Sequence, residues 1–149
     1  MVKRTIYPPV WLLLGLTTIF ACNEYFAGPR FTSFAGQVVG GVFLIIGLWL
    51  LVTAGGLFSR AKTGVIPFRN VSTLVTGGIY RYTRNPMYLG MSLVLLGCAV
   101  TVGASVALLV PPGFAIIIEL RFIRQEEAML RDMFPEQFAA YCGRVRRWI

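Results

Sequence analysis

The residues able to do chemistry gather in two stretches, KTGVIPFRNVSTLVTGGIYRYTRNPMYLG from Lys62 to Gly90 and ELRFIRQEEAMLRDMFPEQFAAYCGRVRRWI from Glu119 to Ile149. In the first, Arg84-Asn85-Pro86 has the form of a helix start. Asn is a good N-cap, and Pro fits the first turn, where its missing N–H costs nothing. Free N–H groups at Asn85–Met87, flanked by Arg81 and Arg84, would suit a carboxylate or a phosphate. The same residues also fit a plain helix start with basic side chains at lipid headgroups. Tyr80, Tyr82 and Tyr88, with Phe68, could wall a heterocycle or form an interfacial aromatic belt. In the second stretch, Glu126-Glu127 stands between Arg124 and Arg131, either as surface ion pairs or as a carboxylate site for ribose hydroxyls or an ammonium group. Glu119 lies in an apolar run, where an ionisable group is costly and needs a partner. Arg121 and Arg124 are badly spaced to face it, which directs it toward an arginine of the first stretch.

The residue inventory excludes other chemistries. The chain has no His, so a His–metal site, a Ser-His-Asp triad and a His general base are all absent. Cys22, Cys98 and Cys142 are far apart, with no CxxC spacing, so neither a disulfide framework nor a zinc site is indicated, and no metal ligand set is expected.

The elements that must position these residues are membrane helices. Of the 149 residues, 56% are hydrophobic and 13% charged, against about 25% charged in a soluble domain, and the mean hydropathy is +0.71. The net charge of +8 reads in so apolar a chain as positive-inside bias rather than as a nucleic-acid partner. Two uncharged runs hold one span each, Pro9–Ala27 and Phe34–Leu57. A third, from Asn85 to Ile118, would reach about 51 Å as one helix at about 1.5 Å per residue, well beyond a hydrocarbon core of about 30 Å. It must fold back at Val102-Gly103-Ala104-Ser105, giving a hairpin of Pro86–Val102 and Val106–Ile123. Pro111-Pro112 is expected to kink the fourth span, and Gly36, Gly40, Gly41 and Gly47 to bring the second close to a neighbour. The expected fold is an all-α, four-span membrane protein, one domain over 1–149. Its connecting segment 58–85 and its tail 124–149 lie on one face. The tail has amphipathic apolar spacing from Met129 to Tyr141, broken at Pro135, and either lies on the membrane or lids the loop.

Charge placement supports the even count. Four spans put every Lys and Arg on one face except Arg30, whereas three would split the two largest basic clusters. Both termini are therefore expected in the cytoplasm. The basic, apolar N-terminus has no small-residue cleavage site after it and reads as a retained helix.

Together, STLVTGGIYRYTRNPMYLG and RQEEAMLRDMFPEQFAAYCGRVRRW resemble the isoprenylcysteine carboxyl methyltransferase family in its short prokaryotic form, which is related to phospholipid and methanethiol methyltransferases. The resemblance runs from Gly56 to Ile149 through LVTGGIY, R-x-P-x-Y-x-G, EE-x-x-L and the closing Tyr141 and Val145. It implies methyl transfer from S-adenosylmethionine, leaving S-adenosylhomocysteine, to a lipophilic or membrane-associated carboxylate or thiol. A phospholipid or a small thiol is the alternative acceptor. By the resemblance, the cofactor contacts fall on Ser72, Thr73, Leu74, Val75, Tyr80, Asn85, Pro86, Met87, Tyr88 and Glu126. A family arginine that meets the substrate aligns with Phe122, so Arg121 or Arg124 would take its role. The eukaryotic pattern has His at the positions of Ser72 and Asn85. The implied partners are the bilayer and the lipophilic acceptor. Two other readings fit the span count, a small four-helix exporter and a non-catalytic membrane scaffold. The exporter wants a glutamate in mid-span, whereas Glu24 lies near the end of the first.

Overall fold

The computed structural model describes residues 7–26, 29–31, 33–60 and 73–149. Ser72, Phe68 and the rest of the stretch 61–72 within the segment 58–85 lie outside this set. Among the described residues there is no strand, only an isolated bridge between Arg30 and Ala104. The helices are α1 (Pro8–Tyr25), α2 (Phe34–Arg60), α3 (Pro86–Val102), α4 (Val110–Ile118), α5 (Arg124–Met133) and α6 (Pro135–Arg144). Two 3-10 turns, Gly78–Arg81 and Ser105–Leu109, and one π turn, Glu119–Ile123, complete the backbone.

The hairpin turn falls where expected. Gly103 ends α3 in the left-handed region, with φ 76° and ψ 12°, and its N–H bonds the Ala99 carbonyl. Glycine is suited to that position because it has no Cβ to clash. In the return arm Pro111 and Pro112 sit in the first turn of α4, where the backbone changes from the 3-10 turn to α-helix and a missing N–H is harmless. The helix does not stop at Ile123, since it runs on from Ser105 to Met133. The π turn is the irregularity that permits this. The Arg124 N–H bonds back to the Glu119 carbonyl, one residue further than in an α-helix. Buried positions on this rod step from Phe114 to Ile118, then to both Phe122 and Ile123, then to Glu127. The inserted residue shifts the inward face by one place.

Two described helices are long and apolar enough to cross a membrane, Phe34–Leu57 and Ser105–Met133, with mean hydropathies of 2.4 and 2.0. α3 is a shorter apolar helix of 17 residues. α1 has its apolar run diluted by two prolines at its start and by Asn23 and Glu24 near its end. The outer surface is greasy: Leu13, Phe20, Ile45, Trp49 and Val52 are all more than half exposed. So large an apolar surface is unsuited to water and marks contact with lipid or protein.

α3 is the central helix, packed against α1, α2 and α4. Its core partners are Ile19 and Cys22 of α1 and Phe114, Ile118 and Phe122 of the return arm. The approach to α2 is close at two glycine pairs. A Cβ on Gly97 would stand 2.7 Å from the Gly40 carbonyl, and one on Gly47 would stand 2.8 Å from that of Gly90. The expectation of close packing therefore holds for Gly40 and Gly47. Gly41 has nothing within 4 Å of an added Cβ, and Gly36 meets only Ser33 and Phe31. Gly90→Ala is expected to cost about 1–3 kcal/mol by overpacking, despite a helix-propensity gain of about 1 kcal/mol. Gly41→Ala should be neutral or stabilising, and thermal unfolding of both variants in detergent checks the contrast.

The two ends of the bundle differ. At one end the α1–α2 and α3–α4 connections bind each other: the Phe31 N–H donates to the Gly103 carbonyl at 3.0 Å, and Ser105 Oγ donates to the Pro29 carbonyl at 2.7 Å. Arg30 lies here, donating to the Asn23 carbonyl. At the other end lie the start of α3, the segment before it and the C-terminal residues.

Candidate functional site

The segment leading into α3 is shaped by a short 3-10 turn. Gly78 has φ +59°, a conformation that favours glycine, and a Cβ there would also push on a Leu57 methyl 2.8 Å away. The turn buries Tyr80. Five residues on, Pro86 opens α3, and Tyr88, on the first turn, points inward and is buried.

Across from it, Glu126 lies on α5, beyond the apolar part of the return arm. Tyr88 Oη donates to Glu126 Oε1 at 2.7 Å, and the Tyr88 ring leans on Phe122 with centroids 6.5 Å apart. Tyr80 lies within electrostatic reach of both. Burial of the Glu126 carboxyl pushes it up to about 7; the Tyr88 hydrogen bond works against the rise and the Glu127 charge adds to it. Burial likewise raises the Tyr80 hydroxyl, so it stays protonated. An acid poised at neutrality between two tyrosines is suited to receive a cation, which would restore its charge.

Because Glu126 holds its proton more tightly when folded than when unfolded, its contribution falls as pH rises from about 4.5 to about 7, and the deficit is complete above that. Glu126→Gln should therefore unfold at a higher temperature than the native chain at pH 8, with the gap closing below pH 5. Melting curves at the two pH values test this, and a lower melting temperature at pH 8 would contradict it.

The neighbouring glutamate does different work. Glu127 is buried and accepts from Arg84 Nη2 at 2.9 Å and from Arg147 Nη2 and Nε at 2.6 and 3.1 Å. Burial alone would raise its carboxyl, but the two guanidinium groups outweigh this and hold it below the ordinary carboxylate range. Arg147 Nη1 also reaches Glu119 Oε1 at 2.8 Å, and Trp148 Nε1 donates to Glu119 Oε2 at 2.7 Å. Glu119 thus finds its arginine in the C-terminal residues and not in the first stretch.

The same C-terminal residues are stitched to the start of α3. Thr83 Oγ1 and Asn85 Nδ2 donate to the Arg147 carbonyl at 3.2 and 3.1 Å, and the Arg84 N–H donates to that of Arg146 at 3.0 Å. Arg84 Nη1 donates to the Val145 carbonyl at 3.1 Å. Two expectations are corrected here. Asn85 occupies the N-cap position but makes no side-chain cap bond; its Nδ2 donates instead to the Arg147 carbonyl. Arg84 is not available to an external anion, because Glu127 and the tail carbonyls already hold it. Of the two flanking arginines, Arg81 is the exposed one.

The tail packs over the described part of the connecting segment. Phe138, Tyr141 and Val145 form a small second core with Leu74, Leu130 and Phe134, and Tyr141 Oη donates to the Tyr80 carbonyl at 2.6 Å. Pro135 opens α6, as the break in spacing suggested.

Of the residues singled out in the sequence, Tyr80, Tyr88 and Glu126 come together. Asn85 and Pro86 are buried beside them at the helix start, with Met87 half-buried. Leu74 and Val75 are half-buried, Thr73 is exposed and Ser72 lies outside the described residues. Arg121 and Arg124 are exposed, and neither forms an ion pair among the described residues. Arg124 borders a groove of about 230 Å³ with Ala115, Ile116, Glu119, Leu120 and Trp148. Phe122 is buried against Tyr88. Among the described residues no cluster of His, Cys, Asp or Glu is placed to hold a metal. Arg147, Trp148 and the role of Glu127 were not anticipated, and the one signal for them was the unpartnered Glu119.

The family described as phospholipid methyltransferase matches residues 35–137. An uncharacterized protein of Haemophilus influenzae is 35% identical over 63 residues, which cover 42% of this chain and all of that protein. No solved structure matches. Since the match runs from α2 through the Tyr88–Glu126 pair into α6, the chain belongs to the phospholipid methyltransferase family, which implies a membrane-associated methyltransferase acting on a lipid-related acceptor.

Proposed function

We propose that the chain is a four-span membrane methyltransferase that binds S-adenosylmethionine at Tyr80, Tyr88 and Glu126 and methylates a lipophilic acceptor at the cytoplasmic interface. The observation that carries this reading is the 2.7 Å bond between Tyr88 Oη and Glu126, a half-buried carboxyl poised near neutrality. The resemblance to isoprenylcysteine carboxyl methyltransferases supports the choice of cofactor, and the phospholipid methyltransferase match supports the transfer.

The residues suit the cofactor by their chemistry. Its sulfonium carries the activated methyl group, and its ammonium is a second cation. A carboxylate flanked by tyrosine faces favours such charges. The N–H groups of Met87 and Tyr88 have no side-chain cap at the start of α3 and would hold the cofactor's carboxylate, with Arg81 at the rim. Leu74 and Val75 would flank the adenosyl part, with Thr73 and Ser72 before them.

In-line displacement at a sulfonium needs alignment above all, and holding both partners in place supplies much of the acceleration. An acceptor that is already anionic, a carboxylate or a thiolate, needs no base, which agrees with the lack of His. Arg121 or Arg124, exposed where the rod leaves its apolar section, would steer that anion. The family match supports a second reading, a phospholipid amine acceptor, which must lose a proton before attack.

Topology supports the same site. The apolar exterior of α1 and α2 faces lipid, and α3 at about 1.5 Å per residue reaches about 26 Å, most of a hydrocarbon core of about 30 Å. Arg30 stands at one end and the arginine-rich site at the other, an asymmetry that supports the reading of a site on the cytoplasmic side.

The test is transfer of isotopically labelled methyl from S-adenosylmethionine by the protein in nanodiscs. The acceptors offered are a prenylated cysteine, a long-chain thiol, a long-chain carboxylate and phosphatidylethanolamine. Labelling of one of them that S-adenosylhomocysteine inhibits is expected. No labelling of any would overturn the reading.

A further inference from the structure

One residue outside the proposed cofactor set joins the two halves of the site. The carbonyl of Arg147 accepts from Thr83 and Asn85, on the segment that carries Tyr80 and Tyr88. Its guanidinium bridges Glu119 and Glu127, on the rod that carries Glu126. Glu119 opens the π turn and Glu127 lies beyond it, eight residues on, about 12 Å along the axis at ordinary helical rise. Glu127 is next to Glu126 in the chain, and its side chain is 9% exposed, so little water screens its charge.

We propose that Arg147 is a positioning residue that tunes the charge state of Glu126: docked against Glu127, it offsets part of the negative charge beside Glu126 and so favours the ionised, cation-receiving form. The groups facing Glu126 are Tyr88 from α3, Tyr80 from the 3-10 turn and Glu127 from its own helix. Arg84 and Arg147 in turn donate to Glu127. Docking of the C-terminal residues therefore charges the site, and undocking neutralises it. This inference rests on the reading of Glu126 as the cation-receiving group, but its test addresses the carboxyl itself.

Arg84 keeps Glu127 in place when Arg147 is changed, because it holds the same carboxylate at 2.9 Å. The signs then follow. Arg147→Gln removes a cation near Glu126 and should raise its titration midpoint by about one pH unit, the size of a partly screened charge at this range. Arg147→Lys retains the charge and should leave the midpoint near that of the native chain. Glu127→Gln removes the anion and should lower it. The midpoint is read from the infrared carboxyl band of protein in nanodiscs, identified by its loss in Glu126→Gln. A purely structural role for Arg147 would expose Glu126 on substitution and move its midpoint down. A fall or no change in Arg147→Gln overturns the proposal. Should that variant not fold, a Glu127→Gln midpoint that does not fall overturns it equally. Binding of S-adenosylhomocysteine to the same samples separates the two failures: a native chain that binds none refutes the cofactor reading, while the infrared shifts still decide the role of Arg147.

Discussion

Glu126→Gln should weaken S-adenosylhomocysteine binding about 10- to 150-fold while leaving the fold intact. The substitution preserves shape and removes the charge, and a hydrogen bond to a charged group is worth about 1.5–3 kcal/mol, which is that range in affinity. Tyr88→Phe removes the hydroxyl that holds Glu126 at 2.7 Å but keeps the ring, so a loss of about 10-fold is expected, and Tyr88→Ala should lose more. Affinity in the native chain should also decline as pH falls through about 7, because protonated Glu126 no longer attracts a cation. In Glu126→Gln this decline should vanish. Calorimetry in nanodiscs at several pH values reads all of these, and an unchanged affinity in Glu126→Gln would remove Glu126 from the site.

The largest stability effect should come from Glu127→Ala. Glu127 is 9% exposed at its side chain and Arg84 is 13% exposed, with Arg147 completing the group. Taking away one partner of a buried ion pair leaves the other charge uncompensated, at a cost of about 3–5 kcal/mol. The cost is greater here than for an ordinary pair because Arg84 also binds the carbonyls that dock the tail. Loosening of the C-terminal residues should accompany the loss, seen as faster amide exchange over residues 141–149. Replacing Glu136, an exposed residue on the first turn of α6, should stay within about 0.5 kcal/mol. Chemical unfolding in detergent compares the two, and equal effects would show that the ion-pair cluster is not what secures the tail.

Much of the architecture was legible because membrane helices announce themselves through composition. The Pro86 start, the Gly103 turn and the Gly40 and Gly47 contacts follow from local rules, the fit of proline to a first turn and the fit of glycine to a tight one. The continuation of the fourth helix to Met133 was not legible. Charged residues after Ile118 read as the end of a span, although nothing in helix chemistry stops a rod where lipid stops. The π turn was hidden for a similar reason. A one-residue slip shows only as two adjacent inward residues, Phe122 and Ile123, in a run that is apolar on several sides.

The site was half legible. Tyr80, Tyr88 and Glu126 could be named from the ordered motifs, but their meeting depends on where the rod packs against α3. Arg147 was missed because it stands in a run of arginines, where each one reads as a surface charge near headgroups. Asn85 stands at the cap position as local rules require, but its side chain turns to the tail, where Nδ2 donates to the Arg147 carbonyl, a long-range contact that local rules do not show. Glu119 was the informative residue, since a carboxylate in an apolar run demands a partner that local spacing did not supply.

The most direct measurement is the position of the cofactor itself. Ultraviolet cross-linking of methyl-labelled S-adenosylmethionine to the native protein, followed by peptide mapping, should place the label on the peptides that contain Tyr80, Tyr88 or Glu126. Excess S-adenosylhomocysteine should abolish it. Label confined to the apolar faces of α1 and α2, or unaffected by that competitor, would contradict a cofactor site between the start of α3 and Glu126.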